Sequence, residues 1–564
     1  MFSTPEEVER LRTINEGLEA EIHKTRTKQV TVLLRLNELS SATRNIPSEI
    51  LANIFSDVCR DPSYKMLRIG HPIIQVISSV CSRWYRVAKN TPSLWTHIEI
   101  NLPPRKRATT CSLDLLRLYI ANSGPLPIAI TFSSSLGYFR PPYPHPARWP
   151  HKSGNHHVIY TDLFRLILIE FPNKLGSLTL GENSGSARLW LGTIASYAAS
   201  AHTSVTYPNL VKLDIQASSE DPRFSNWLGA AQLPIRLFQN TLQVPNLSRL
   251  VLHYSVTSVR VPLQNLTSLT LAHSKPKECI DALAQFPRLV EFRALRLCPP
   301  VEPARAPASL KGEVLSLTNL QLLSWDFSYR EWGLILMENF HFPNLTSLYA
   351  DEHRDGTSPG PDASPLLGAF FASWARFLCS LPKLSTLGCV LGTGHPDNNP
   401  TRFCDAISKF TTLRVLHLWA RPYNEDWIIL RGSFLRIFAP RKQSTTRGRP
   451  KSQSHGLPMI SSLYLHNNLG DFCVEDRNIF LNALESRWRT PEQQTQGSSV
   501  TRLESCTIYT SPVIDPGDLP NEQERWLENS TMKQFSRITK LQEEGFKFSV
   551  VEQEFHQYLI AEGE

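Results

Sequence analysis

Four histidines with metal-ligating potential lie in one proline-rich stretch of the sequence. They are His145, His151, His156 and His157. No carboxylate or cysteine stands among them at a ligand spacing. The ten cysteines of the chain are scattered and form no C-x-x-C pair, so we expect reduced thiols. The sequence therefore predicts a long surface loop here, with no metal and no cofactor.

Catalytic motifs are missing from the sequence or incomplete. The triplet HRD at residues 353–355 is similar to part of a kinase catalytic loop, but no asparagine follows at the required offset. The sequence has no G-x-x-x-x-G-K-[ST], no H-E-x-x-H and no G-x-S-x-G. Cys81 lies on the apolar face of a predicted helix, where a cysteine is usually an inert small hydrophobe. We therefore predict that the protein is not an enzyme.

A basic segment at residues 440–456 carries cations and no acid. Its cations are Arg441, Lys442, Arg447, Arg449 and Lys451. The core of the segment, RGRPK, resembles an AT-hook, which binds the minor groove of DNA. Three interpretations stay open: a solvated loop, a nuclear import signal and a DNA contact. The last would make the chain a DNA- or chromatin-associated protein, which is the alternative function.

The composition predicts a folded protein without a membrane span. The chain has 564 residues, 41% of them hydrophobic, and a net charge of +8 that is too small to predict binding to nucleic acid or membrane by itself. The acidic amino terminus does not resemble a secretory signal. The most apolar run, residues 163–171, is too short to cross a bilayer. We expect the protein in the cytoplasm or the nucleus.

Residues 1–42 predict a long helix that begins at the capping sequence STPEE. Counting by sevens gives one column of Val8, Asn15, Ile22, Gln29 and Leu36 and a second of Leu11, Leu18, Thr25, Val32 and Leu39. This heptad pattern is typical of a coiled coil, but three of its positions are polar. Weak self-association and packing against the next domain both stay open.

Residues 43–100 predict a small helical domain. The sequence IPSEILANIFSDVC has apolar residues at three- and four-residue intervals after a proline at a helix start. A gap follows, and helical spacing resumes over residues 73–90 until TPSLW ends it.

This domain resembles an F-box. The order I-P-x-E-I-L-x-x-I-F, then V-C-x-x-W-Y, then S-L-W carries the resemblance, with Ile46 where leucine is usual and a longer middle segment. The resemblance implies a non-catalytic subunit that binds a Skp-type adaptor and, through it, a cullin of a ubiquitin ligase. The docking residues that it implies are Ile46, Pro47, Ile50, Leu51, Cys81, Trp84, Leu94 and Trp95.

A repeated phrase of the form L-x-x-L-x-L fills residues 161–564, after a connection at residues 101–160 that we expect to be rich in loops. The leading apolar positions are Leu175, Leu210, Leu247, Leu266, Leu289, Leu320, Leu345, Leu384, Leu413 and Ile460. Two leucines spaced two apart point to the same face of a strand. Stacking such strands predicts an α/β fold: an irregular leucine-rich-repeat solenoid with a parallel sheet. The glycosylation-like sequons at Asn246, Asn265 and Asn344 then mark strand entries.

The residues between the leucines predict a binding face. In this register the concave face exposes Arg249, Val251, His253, Tyr349, Asp351, His417, Trp419, Tyr464 and His466. Aromatic residues are enriched at binding hot spots, so we expect this face to bind an unknown target protein. An overlying loop that covers these side chains is the alternative.

Overall fold

The computed structural model describes a set of segments that covers the helices and strands given below. They are residues 5–40, 43–60, 73–101, 109–133, 165–180, 205–215, 242–253, 264–300, 314–351, 364–391, 410, 412–420, 459–466, 474–489, 502–510 and 532–552. The chain divides into two compact units, Met1–Asn246 and Leu247–Glu564. None of the helices in the described segments is long and apolar enough to span a membrane.

The first unit begins with helices. They are α1 (Pro5–Ser40), α2 (Ser48–Arg60), α3 (Ile73–Val80) and α4 (Ser82–Lys89), followed by a 3-10 turn, Pro92–Trp95. Helix α1 starts at Pro5, as the capping sequence predicts.

One predicted helix is divided in two. Residues 73–90 form α3 and α4 because Cys81 between them is extended, with φ −158° and ψ 168°. The Cys81 thiol accepts a hydrogen bond from the backbone N–H of Trp84 at 3.5 Å, so Cys81 acts as the N-cap of α4. Apolar periodicity continues across the break, which is why the sequence does not reveal it.

A parallel sheet completes the first unit. Strands β1 (His97–Asn101), β2 (Ile128–Ser133), β3 (Leu175–Leu180) and β5 (Lys212–Ile215) pair in chain order, with helix α5 (Thr109–Asn122) between the first two. Short strands β4 (Val205–Thr206) and β6 (Leu242–Gln243) pair separately. Sequence analysis predicts a connection rich in loops at residues 101–160, but the structure places helix α5 and strand β2 within it. Ile128, Ile130 and Phe132 are buried on one face of β2, a period-2 signal of only three residues.

The main sheet of the second unit is also parallel, and its strands again follow chain order. They are β7 (Arg249–His253), β8 (Ser268–Ala272), β9 (Glu291–Leu295), β11 (Leu322–Asp326), β13 (Ser347–Asp351), β14 (Thr386–Leu391), β15 (Val415–Ala420), β16 (Ser462–His466), β17 (Ser505–Thr510) and β18 (Lys547–Glu552). Strands β10 (Leu315–Ser316) and β12 (Phe340–His341) form a separate pair.

Helices separate several of these strands. They are α6 (Pro276–Gln285), α7 (Arg330–Asn339), α8 (Ser364–Cys379), α9 (Val474–Trp488) and α10 (Met532–Glu543). After α10, Gly545 adopts a left-handed φ of 93°, which suits a helix C-cap, and β18 follows.

The repeated leucines form the core between these elements. Leu413, Leu416 and Leu418 are each at most 1% exposed, and Ile460, Leu463 and Leu465 are at most 4% exposed. The equivalent residues of the other phrases are buried in the same way, so the strand register predicted from L-x-x-L-x-L is correct.

Asparagine side chains connect successive strand entries. The Nδ2 of Asn209 donates to the carbonyl of Asn173 at 2.6 Å, and that of Asn246 donates to the carbonyl of Pro208 at 2.6 Å. In the second unit, Asn344 donates to the carbonyl of Thr318 at 2.7 Å. These bonds satisfy turn carbonyls, which gives a structural reason for an asparagine at these strand entries.

Candidate protein-docking surfaces

The core of residues 43–101 is built from all its helical elements. Its buried residues are Leu51 and Phe55 of α2, Ile74 and Ile77 of α3, Val87 and Ala88 of α4, and Leu94 and Trp95 of the 3-10 turn. Because each helix contributes apolar residues at a spacing of three or four, the helices close around one core. This packing fixes the orientation of each helix and therefore decides which of its side chains face the solvent.

The chain that leads into α2 is held by α4. The Arg83 guanidinium donates to the backbone carbonyls of Thr43, Arg44 and Ile46. The Trp84 indole N–H donates to the Thr43 hydroxyl at 2.9 Å. These bonds fix Ile46, and with it the start of α2, although they cross about forty residues of sequence.

Both tryptophans of this domain have structural contacts. The Trp84 ring packs against Phe55 with centroids 4.9 Å apart. Trp95 donates its indole N–H to the carbonyl of Ala88 at 2.8 Å, and its ring meets Tyr119 edge to face at 5.2 Å. Burial of Tyr119 raises the pKa of its hydroxyl. Burial also raises the pKa of the Cys59 thiol, to about 11.

Half of the predicted docking residues lie in the core. Leu51, Cys81, Leu94 and Trp95 are only 1%, 5%, 5% and 4% exposed. These four side chains therefore help to build the core, and their contact with an adaptor stays a prediction. Apolar character predicts burial or binding equally well, and only packing separates the two.

Four exposed aliphatic residues of the domain form two pairs. Ile50 and Ile54 on α2 are 50% and 44% exposed, and Val76 and Val80 on α3 are 50% and 46% exposed. A spacing of four places each pair on one face of its helix. Pro47 is exposed as well, whereas Ile46 and Trp84 are half-buried. Sequence analysis missed Ile54, Val76 and Val80, although their i, i+4 spacing beside a core stripe was visible.

A second candidate surface follows one row of residues across the second unit. Strand pairing aligns Arg293, Ser324, Tyr349, Gly388, His417 and Tyr464 in that order, from β9 to β16. The His417 and Tyr464 rings stack with centroids 4.3 Å apart. Tyr349 lies 5.9 Å from His417 and 6.2 Å from Trp419. These residues form one aromatic cluster on the face opposite the leucines.

Gly388 makes the closest approach in this cluster possible. A Cβ at that position would lie 2.4 Å from Cδ1 of Tyr349 and 2.5 Å from Cζ3 of Trp419. Strand β14 separates these two aromatics, so a side chain there would stand between them. The glycine lets the rings of β13 and β15 meet above β14.

The exposure predicted for this face is wrong at four positions. Tyr349, Asp351, His417 and Trp419 are 8%, 7%, 2% and 2% exposed. Rings on adjacent parallel strands, about 4.8 Å apart, cover one another, which the alternation of one strand does not show. Arg249, Val251, His253 and Tyr464 are half-buried. The side chain of His466 lies outside the described residues.

Two histidines and an arginine lie near the end of β7. The His253 and His273 rings lie 6.2 Å apart, and His273 and Arg296 hold left-handed φ angles of 53° and 48°. Burial, followed by the charges of His273 and Arg296, lowers the pKa of His253 to about 4. His253 is therefore neutral at physiological pH.

Metal chemistry has no candidate in the described segments. They hold no group of three histidine, cysteine or acidic residues that could bind a metal ion. Seven cysteines of these segments, 59, 81, 279, 298, 379, 389 and 506, form no disulfide. The histidine-rich stretch, the HRD triplet and the basic segment 440–456 lie outside the described residues.

Comparison with known proteins identifies the helical domain. Residues 43–101 match the F-box-like family, which agrees with the resemblance and with the predicted limits of 43–100. F-box domains are typically non-catalytic adaptor modules of Skp-cullin-F-box ubiquitin ligases. A search of curated proteins found no match to the chain.

Proposed function

We propose that this chain is the substrate-recognition subunit of a Skp-cullin-F-box ubiquitin ligase. The F-box-like domain binds a Skp-type adaptor, which links the chain to a cullin, and the second unit binds a target protein. The chain itself catalyses no step. The match of residues 43–101 to the F-box-like family supports the class of this proposal.

The exposure of Ile50, Ile54, Val76 and Val80 is the observation that carries it. These aliphatic side chains lie on helices whose other faces already close a core, so they contribute little to folding. Complete burial of one such side chain stabilises by about 1.5–3 kcal/mol, and these four are about half-exposed. An adaptor that covers all four would bury the exposed half of each, which contributes roughly 3–6 kcal/mol to binding.

Three of the other predicted docking residues also reach the surface of the domain. Pro47 is exposed, and Ile46 and Trp84 present part of their surface. Arg83 and the Trp84 indole fix the segment that carries Ile46. We propose that Ile46, Pro47 and Trp84 complete the adaptor surface.

For the second unit we propose an irregular leucine-rich-repeat solenoid. Its parallel strands in chain order and its buried repeated leucines support that architecture. We propose that the target contacts Arg249, Val251, His253 and Tyr464, which are half-buried on the face opposite the leucines. The buried aromatic cluster then supports this face from within.

Affinity capture from cells tests the function. The intact chain should capture a Skp-type adaptor, a cullin and target proteins, whereas a chain without residues 43–101 should lose the adaptor and the cullin and keep the targets. Capture of the adaptor by the shortened chain would contradict the proposal. Salt-sensitive retention of DNA, with no adaptor, would favour the alternative function instead.

A further inference from the structure

Helix α1 exposes the described aliphatic side chains of its two heptad columns, which together we call the seam. The six aliphatic seam residues whose exposure is measured are Val8 38%, Leu11 60%, Leu18 54%, Ile22 51%, Val32 58% and Leu36 55%. They recur at the first and fourth positions of a heptad over a helix of 36 residues. An exposed apolar stripe of this length, interrupted at only three polar positions, is unfavourable in water and favours a partner surface of the same length.

We propose that two copies of the chain associate through α1 as a parallel, in-register, two-stranded coiled coil. The partner is a second copy because the seam is self-complementary at each of its polar positions and at its flanking charges. The association rests on α1 alone, and only its consequence for target avidity rests on the proposed function.

The polar seam positions decide the direction of the second helix. In a parallel, in-register pair, Asn15, Thr25 and Gln29 each face the same residue of the second copy, so polar groups meet polar groups. In a fully overlapped antiparallel pair, Asn15 faces Val32, Thr25 faces Ile22, and Gln29 faces Leu18. Three polar groups would then lie against aliphatic side chains, which is costly. A polar residue at the first heptad position is also a known determinant of register and of the two-stranded state.

In the single chain, the Asn15 side chain already has an intrahelical bond. Its Nδ2 donates to Oε1 of Glu19 at 3.0 Å on the exposed helix surface. This bond leaves the carbonyl oxygen of Asn15 able to accept from Asn15 of the second copy. The single chain thus holds the side chain near the seam without using its full hydrogen-bonding capacity.

The flanking charges agree with the parallel arrangement. In a parallel coiled coil, each heptad g position, which directly precedes an a position, faces the e position of the partner helix five residues later in the sequence. Glu7 then faces Arg12 of the second copy, and Glu21 faces Arg26. The other flanking pairs, Ile14 with Glu19, Lys28 with Leu33 and Arg35 with Ser40, hold at most one charge each. No like charges meet, so electrostatic repulsion does not oppose the pair.

A dimer of this kind joins two F-box-like domains and two target-binding units. Each second binding event then becomes intramolecular, which raises the avidity for a target that carries two recognition sequences. The coil lies at the amino-terminal side of residues 43–101, so it can form without using Ile50 or Val76.

The mass of the full-length chain in solution tests the association, with two variants of α1 as a matched pair. Ile22 lies in the seam, whereas Val30 is equally exposed at 53% but lies outside it. At roughly 50 µM, a concentration that populates complexes with micromolar Kd, light scattering should give twice 63.9 kDa for the unsubstituted chain. Ile22→Asp should reduce this to the mass of one chain, and Val30→Asp should leave it unchanged.

A single-chain mass for the unsubstituted protein, or equal behaviour of the two variants, would overturn the association. Circular dichroism of both variants should be measured alongside, to check that each keeps its helix content. Because both residues are exposed in the single chain, neither substitution should unfold the rest of the protein.

A cysteine at position 18 tests the direction. Mild oxidation of the Leu18→Cys chain should give a covalent dimer beyond that of the unsubstituted chain, because the two copies of residue 18 face each other in a parallel pair. A crosslink that appears only when Leu18→Cys is mixed with Gln29→Cys would show the antiparallel arrangement and overturn the proposal.

Discussion

At the scale of single residues, the structure separates side chains that build the molecule from those that remain available to a partner. Cys81, Trp95 and Trp419 all have types that suggest a site, yet each is at most 5% exposed. Ile50 and Val76 are ordinary aliphatic residues, yet each is 50% exposed. Residue type alone therefore does not identify the contact surface, and burial has to be known as well.

Gly388→Ala tests the packing of the aromatic cluster. The added Cβ would lie within 2.5 Å of both Tyr349 and Trp419, so at least one ring must move. We expect a loss of about 1–3 kcal/mol in the free energy of unfolding, as for other overpacked cores. Denaturant unfolding measures it.

Gly17→Ala is the control for this substitution. Gly17 lies in α1 with no atom within 4 Å of the added Cβ, so alanine there should stabilise by about 0.5–1 kcal/mol through helix propensity. Equal effects of the two alanines would contradict the packing derived for Gly388.

His253 should make the second unit less stable in mild acid. Its pKa is about 4 in the folded chain, below the ordinary value of 6.5. The unfolded chain therefore binds a proton first as the pH falls, and stability is lost between about pH 6.5 and pH 4. We expect a loss of about 1–2 kcal/mol for this half-buried group between pH 7 and pH 4.5.

The comparison with His253→Gln isolates this effect. The variant cannot titrate at position 253, so its stability should fall less over the same pH range. Thermal unfolding at several pH values provides the measurement. Parallel pH profiles for the two proteins would show that His253 is not the group responsible.

At the scale of helices and strands, patterns with many repeats could be predicted and isolated ones could not. The leucine register was correct because ten phrases repeat it. Strand β2 was missed because three alternating residues are a weak signal. The break at Cys81 was missed because apolar spacing continues through it.

The candidate surfaces show the same limit. The sequence placed Tyr349, His417 and Tyr464 on one face, and the ring contacts agree with that. It did not show that Gly388 lets rings from β13 and β15 cover each other. Such burial depends on neighbouring strands that are 19 or more residues apart in the sequence, beyond the reach of any local pattern.

The asparagine bonds between strand entries should contribute to the stability of the second unit. Asn344→Ala removes the donor to the Thr318 carbonyl, so we expect a loss of about 0.5–1.5 kcal/mol in the free energy of unfolding. Lys383→Ala removes only the bond from its Nζ to Oδ1 of Asn344, whereas Asn344→Ala removes both bonds, so the lysine substitution should cost less. If the lysine substitution had the larger effect in denaturant unfolding, the structural role of the asparagine would be wrong.

At the scale of the whole molecule, the two units divide the proposed work. The first unit contains the F-box-like domain with its exposed aliphatic pairs, and the second contains the long parallel sheet. Neither arrangement requires catalytic groups. A subunit that connects a target to an enzyme needs two binding surfaces on separate units, and this chain provides a candidate for each.

The affinity of the full-length chain for a purified Skp-type adaptor tests the central claim most directly. Titration calorimetry should compare the unsubstituted chain, the double variant Ile50→Asp with Val76→Asp, and the control Leu118→Asp. Leu118 is also exposed, at 40%, but lies on α5 outside residues 43–101. Because interface hot spots cost about 2 kcal/mol or more each, the double variant should weaken Kd by at least about a hundredfold, and the control should leave it unchanged. An unchanged Kd for a folded double variant, or no binding by the unsubstituted chain, would contradict the account.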